Sequence, residues 1–143
     1  MEYLKEIVDF AIFGILFFMS FLTFAYSIER FFFYKKINFK DYGTKNEIEI
    51  ALTKNLSAIS IIASNAPYVG LLGTVAGIML VFYEMGVNES LETSVVVIGL
   101  SLALKATALG LLVAIPSMIL YSGFLRKTDT LMGRYEDEIT QTA

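Results

Sequence analysis

Hydrophobic positions in this chain gather into three long uncharged blocks, separated by two polar stretches. Phe10 to Ile28 is a run of 19 residues without a charge. As a helix, such a run crosses about 30 Å of hydrocarbon. A signal peptide is the competing reading, but Met1–Glu6 is not basic and the apolar run is too long for an h-region. Asn55 to Tyr83 is uncharged over 29 residues, and Thr93 to Leu125 runs 33 residues with Lys105 its one exception. As helices these two blocks would extend over about 43 and 50 Å. Both exceed the bilayer core, and tilt absorbs only part of the excess. The remainder predicts helices that continue past the membrane, buried against copies of the chain or a partner. The pattern therefore predicts an all-α membrane protein with transmembrane helices over about residues 10–28, 66–83 and 94–124. The whole of 1–143 reads as a single domain, the second and third helices extending into the cytoplasm and assembling a homo-oligomer.

The polar stretch between the first two blocks has its own structure. Asp41-Tyr42-Gly43 reads as a turn, and Thr44-Lys45-Asn46-Glu47 has the form of a capping box. Behind it Ile48, Leu52, Leu56, Ile59 and Ile62 recur at helical spacing, which predicts an amphipathic helix. No break signal precedes Pro67, so one continuous helix is expected, bent there rather than ended. It is expected to lie on a helix of its own chain, with a membrane-surface anchor as the alternative. Phe31-Phe32-Phe33-Tyr34 supplies an aromatic belt, followed by Lys35 and Lys36. Leu131, Tyr135 and Ile139 extend the last helix as an amphipathic piece.

Charge sets an orientation. Nine Lys and Arg lie between Arg30 and Lys54 or in the C-terminal tail, whereas the loop Glu84–Glu92 carries three acids and no base. The positive-inside rule then places the N-terminus and the acidic loop outside. The region of about 30–65 and the tail of 125–143 are expected in the cytoplasm.

Composition narrows the chemistry. The chain is 56% hydrophobic and 17% charged, with a mean hydropathy of +0.65, too apolar for a soluble domain of this size. Cysteine and histidine are absent, so no disulfide, thiol chemistry, zinc or haem site is expected. No basic and aromatic cluster suggests nucleic acid. Nucleophile–base pairs and phosphate loops are missing, so the chain reads as no enzyme and as needing no cofactor.

What stands out is a set of small residues. Gly70, Gly73 and Gly77 form one flat stripe on the second apolar helix. Each glycine costs about 1 kcal/mol against alanine in a helix interior, but in lipid small residues let helices approach closely. The stripe is therefore expected to be a wall of a packed membrane assembly. In the third block Gly99, Ala103, Ala106, Gly110, Ala114 and Ser117 fall on one side of the helical wheel. Thr74 and Thr107 sit in or beside these stripes. Their hydroxyls can bond back to their own helices or line a narrow polar path. Lys105 lies well inside a span, where a charge costs about 2.5–3.5 kcal/mol and marks a functional candidate. On the wheel it points away from the small residues, free to snorkel, to pair with an acid such as Asp9 or one from a partner chain, or to sit neutral.

Two segments resemble the ExbB/TolQ/MotA family of ion-driven motor subunits, most of all its ExbB and TolQ branches. They are Ala66-Pro67-Tyr68-Val69-Gly70-Leu71-Leu72-Gly73-Thr74-Val75-Ala76-Gly77-Ile78-Met79 and Ala106-Thr107-Ala108-Leu109-Gly110-Leu111-Leu112-Val113-Ala114-Ile115-Pro116. The resemblance implies a pentameric ring in the bacterial inner membrane, closed around single-span partners of the ExbD or TolR kind that supply a protonatable aspartate. It implies that proton flow energises outer-membrane import through TonB, and that Thr74 and Thr107 are the pore-facing threonines. Many relatives carry a glutamate five residues before the second threonine; here that position is Leu102. A TolQ-like role in envelope integrity and a non-conducting membrane scaffold are the alternatives.

Overall fold

The structure, a computed structural model, describes residues 2–142. Four α-helices carry the chain: α1 Glu2–Lys36, α2 Lys45–Thr53, α3 Leu56–Val87 and α4 Thr93–Thr142, with a short 3-10 turn at Phe39–Asp41 between α1 and α2. Helices α1, α3 and α4 are each long and apolar enough to cross a membrane. At 35, 32 and 50 residues they extend about 52, 48 and 75 Å. The first helix is thus as long as the second, and all three outrun the hydrocarbon core. The aromatic belt and the lysines expected after the first span continue the same helix.

Helices α3 and α4 form an antiparallel pair with the most extensive contact in the fold, and α1 lies across both. The register is read from the small residues. A side chain built at Gly99 would meet Val81, Gly77 faces Ala103, and Gly70 faces Gly110, so each step along α3 is matched by the same step back along α4. Helix α1 runs parallel to α4, as shown by the hydroxyl contacts Thr23–Ser117 and Tyr34–Thr128. Pro67 and Pro116 sit inside α3 and α4 without ending either helix.

Two clusters form the core. Ile12, Leu16, Ala66, Ala106 and Ala114 pack where α1, α3 and α4 cross. Tyr34, Ile48, Leu52, Leu131 and Tyr135 pack beyond the apolar blocks, where α2 folds onto α1 and α4. Helix α2 therefore lies on helices of its own chain, and the extension of α4 through Leu131 and Tyr135 is what it lies on.

One element differs from the sequence expectation. The amphipathic segment is not one helix through Pro67: it breaks at Lys54–Asn55, where Asn55 adopts a left-handed backbone with φ of 68°. Asparagine tolerates that conformation better than most residues. The N-terminus of α2 does form as expected. The Thr44 hydroxyl accepts from the Glu47 N–H at 3.2 Å, while the Glu47 carboxylate accepts from the Gly43 N–H at 3.0 Å.

Candidate functional site: the α3–α4 hydroxyl pair and its surroundings

The seam between α3 and α4 is set by backbone contact. A Cβ placed at Gly70 would lie 2.6 Å from the Ala106 carbonyl oxygen, and one at Gly110 would lie 2.7 Å from the Ala66 carbonyl oxygen. Neither backbone atom can retreat without moving its helix. At Gly73 and Gly77 the facing atoms are the methyl groups of Ala106 and Ala103, at 2.8 and 2.7 Å. Ala114 is buried on the same face of α4, in the cluster with Ala66. The glycine stripe assigned from sequence to a wall between copies thus meets α4 of its own chain. Glycine and alanine at these positions bring the two backbones close enough for short side chains to touch across the seam.

Thr74 and Thr107 are those side chains. Thr74 is buried and Thr107 half-buried, and their hydroxyls are hydrogen-bonded to each other. The Thr74 hydroxyl also donates to the Ala103 carbonyl at 3.0 Å. A hydroxyl has one proton and two acceptor lone pairs. With Thr74 committed to Ala103, Thr107 supplies the proton of the shared bond and keeps acceptor capacity on its half-buried side. The arrangement can order a water or accept from a protonated carboxyl group, and it holds no charge of its own.

Lys105 lies on another face. On the single chain it is exposed, its ammonium 5.7 Å from the centroid of the Phe13 ring on α1. That geometry is a cation–π contact between α4 and α1. The structure does not bring Lys105 to the threonines.

Further polar groups line the α1–α4 contact. The Ser117 hydroxyl donates to the Val113 carbonyl at 2.8 Å and meets the Thr23 hydroxyl at 3.2 Å, where it is left to accept, both side chains being buried. Where α2 docks, Arg30 is buried to 1% exposure. It donates to the Ala51 and Leu52 carbonyls at 2.7 and 3.5 Å and pairs with Glu29, its guanidinium 4.2 Å over the Phe33 ring. Glu29 in turn accepts from the Asn55 side-chain amide at 3.1 Å. The Tyr34 hydroxyl donates to the Leu52 carbonyl at 2.7 Å. Sequence reasoning passed over Thr23, counted Arg30 only as an orienting charge and read Tyr34 as part of an interfacial belt, whereas both Arg30 and Tyr34 are buried. Arg30 sits at the end of an apolar run, where an arginine reads as an interfacial charge, and only the fold of α2 shows what it binds. On the surface Lys45 pairs with Glu136, and that carboxylate holds the Lys45 ammonium above its ordinary pKa. Among the described residues no group of His, Cys, Asp and Glu could hold a metal ion.

Comparison with known proteins places this architecture. Residues 25–137 match the MotA/TolQ/ExbB proton channel family, and the chain belongs to that family. It is 50% identical over 135 residues to the biopolymer transport protein ExbB of Helicobacter pylori, covering 94% of this chain and 93% of that one. It is 51% identical over 127 residues to ExbB of Aquifex aeolicus, covering 89% and 86%. The Tol-Pal system protein TolQ of Pseudomonas aeruginosa is 40% identical over 87 residues, covering 61% of this chain and 38% of that one.

Proposed function

We propose that this chain is the ExbB-type stator subunit of an inner-membrane motor that converts proton flow into work for TonB-dependent import. The observation that carries the reading is the Thr74–Thr107 hydroxyl pair, set in an otherwise apolar α3–α4 seam within the family-matched region. In this reading, copies of the chain form a pentameric ring with the half-buried edge of Thr107 toward the centre. A single-span ExbD-like partner supplies the aspartate, and the threonines order the water through which it titrates or accept a hydrogen bond from its protonated carboxyl group. TonB receives the motion. The ExbB assignment is supported by the relatives from H. pylori and A. aeolicus, 50% and 51% identical to this chain, against 40% for P. aeruginosa TolQ.

The test is the Thr74→Val, Thr107→Val double variant. Valine keeps the shape and removes both hydroxyls, so the oligomer and its bound partner persist while TonB-dependent uptake falls to background. Normal uptake in that variant removes the threonines from the mechanism.

A further inference from the structure

Away from the α3–α4 seam, a continuous groove runs between α1 and α4. Its deeper part, about 550 Å³, is walled by Phe24, Phe31, Leu120 and Phe124, with the Ser27 side chain in its lining. Its outer part, about 410 Å³, shares Phe31, Leu120 and Phe124 and adds Lys35 and Lys127. No acidic residue lines either part.

Three features of this groove fit together. First, α1 and α4 are parallel, and helix side chains lean toward the N-terminus of their helix. Lys35, in the last turn of α1, and Lys127, within α4, therefore both reach back over the mouth of the groove. The Lys35 ammonium does so to 4.5 Å from the Phe31 ring centroid. Second, the Ser27 hydroxyl is buried without a hydrogen-bond partner, an arrangement that costs free energy until something supplies one. Ser27 lies one helical turn before Phe31, about 6 Å deeper than the ammonium. Third, apart from Ser27 and Tyr34, whose hydroxyl is taken by the Leu52 carbonyl, the lining below the lysines is apolar, with Phe24 and Phe31 exposed on the single chain.

We propose that this groove binds one anionic phospholipid. Lys35 and Lys127 hold its phosphate, Ser27 donates to an ester carbonyl one turn deeper, and an acyl chain lies along Phe24, Leu120 and Phe124. A basic pocket between membrane helices suits an anionic headgroup. A serine hydroxyl below it matches the order of groups in a glycerophospholipid, where the esters lie between phosphate and hydrocarbon. A helix from a second copy would cover the apolar walls but leave two ammonium groups facing apolar surface. The charges favour the lipid.

Full-length chain purified in mild detergent, stripped of lipid and titrated separately with dioleoyl phosphatidylglycerol and dioleoyl phosphatidylcholine, tests this by native mass spectrometry and thermal unfolding. One phosphatidylglycerol per chain is retained and raises the melting temperature, and phosphatidylcholine is retained more weakly. The Lys35→Gln, Lys127→Gln pair weakens phosphatidylglycerol retention roughly thirtyfold, the effect of two surface cations on an anionic headgroup, and leaves phosphatidylcholine unchanged. Gly123→Leu occupies the groove and abolishes retention of both lipids. A Cβ at Gly123 meets nothing within 4 Å, so the helix accepts it. Equal retention of the two lipids, indifferent to the lysines, overturns the proposal and makes the groove ordinary annular surface. If Gly123→Leu shrinks the oligomer while lipid retention is unchanged, a second copy covers the groove and the proposal also fails.

Discussion

At the scale of single residues, the seam distinguishes glycines that resemble one another in sequence. Gly70 and Gly110 face backbone atoms of the opposite helix, whereas a Cβ at Gly14 meets nothing within 4 Å. Gly70→Ala or Gly110→Ala is expected to lower stability by about 1–3 kcal/mol through forced helix separation. Gly14→Ala is expected to be neutral or to add about 0.5–1 kcal/mol, since it removes only backbone freedom within α1. Thermal unfolding of the three variants in one detergent checks this, and equal melting temperatures would dissolve the distinction. Arg30 is a second such residue. Its Nη1 donates to two carbonyls in the last turn of α2, groups a helix end leaves short of backbone partners, while Nε and Nη2 fork onto the Glu29 carboxylate. Arg30→Met should cost about 1–3 kcal/mol by stranding the Ala51 carbonyl, the Leu52 carbonyl keeping its bond from Tyr34. Arg30→Lys should recover only part of it, because an ammonium lacks the planar fork. Complete rescue by lysine would reduce Arg30 to a simple charge.

At the scale of elements, the break at Lys54–Asn55 separates α2 from α3, although both run antiparallel to α4, Lys45 meeting Glu136 and Gly70 meeting Gly110. The apolar spacing of Leu52, Leu56 and Ile59 continues across it, and no glycine or proline marks it, so periodicity alone reads one helix. What interrupts the helix is the left-handed Asn55, tied through its amide to Glu29 and hence to Arg30. Asn55→Val places a β-branched residue in that conformation and is expected to cost about 1–2 kcal/mol in backbone strain alone. Asn55→Gly keeps the turn and loses only the side-chain bond. If both variants unfold at the same temperature, the backbone conformation is not what matters. Lys45 and Glu136 add an exposed pair between α2 and α4, of a kind that contributes little. Because the folded-state Lys45 pKa is raised, that contribution is intact at neutral pH and fades only as pH climbs above the ordinary lysine range.

For the molecule as a whole, the informative surface is the apolar one. Phe10, Phe17 and Phe24 on α1 are 82%, 75% and 67% exposed, and Leu72 and Met79 on α3 are 62% and 66% exposed. A soluble monomer does not carry apolar area of this extent. Lipid and copies of the chain are what can cover it, and because the glycine stripe is used inside the chain, any contact between copies must draw on these outward faces. Lys105 interrupts the apolar surface above Phe13. Lys105→Met keeps the stem and deletes the charge, so under the proposed function proton-coupled uptake should stay near its normal level while stability changes by about 0.5–1 kcal/mol. Loss of uptake with oligomer and partner intact would put the lysine in the conduction path.

The sequence by itself determined the helical class, the three apolar blocks, the capped start of α2, the passage of α3 through Pro67 and the family, because each rests on local spacing or on contiguous motifs. It also singled out Thr74 and Thr107 as polar groups among small residues. Whether those two hydroxyls meet was not legible, since it depends on a register between helices that are antiparallel and pack backbone to backbone. Tertiary structure alone decided that the glycine stripe faces α4 of its own chain, that Arg30 binds the end of α2, and that the helix breaks at Asn55. The physical reason is common to all three. A periodic pattern states which face of a helix is apolar or small, but the partner of that face and the direction of the next element are set by contacts between residues far apart in the chain.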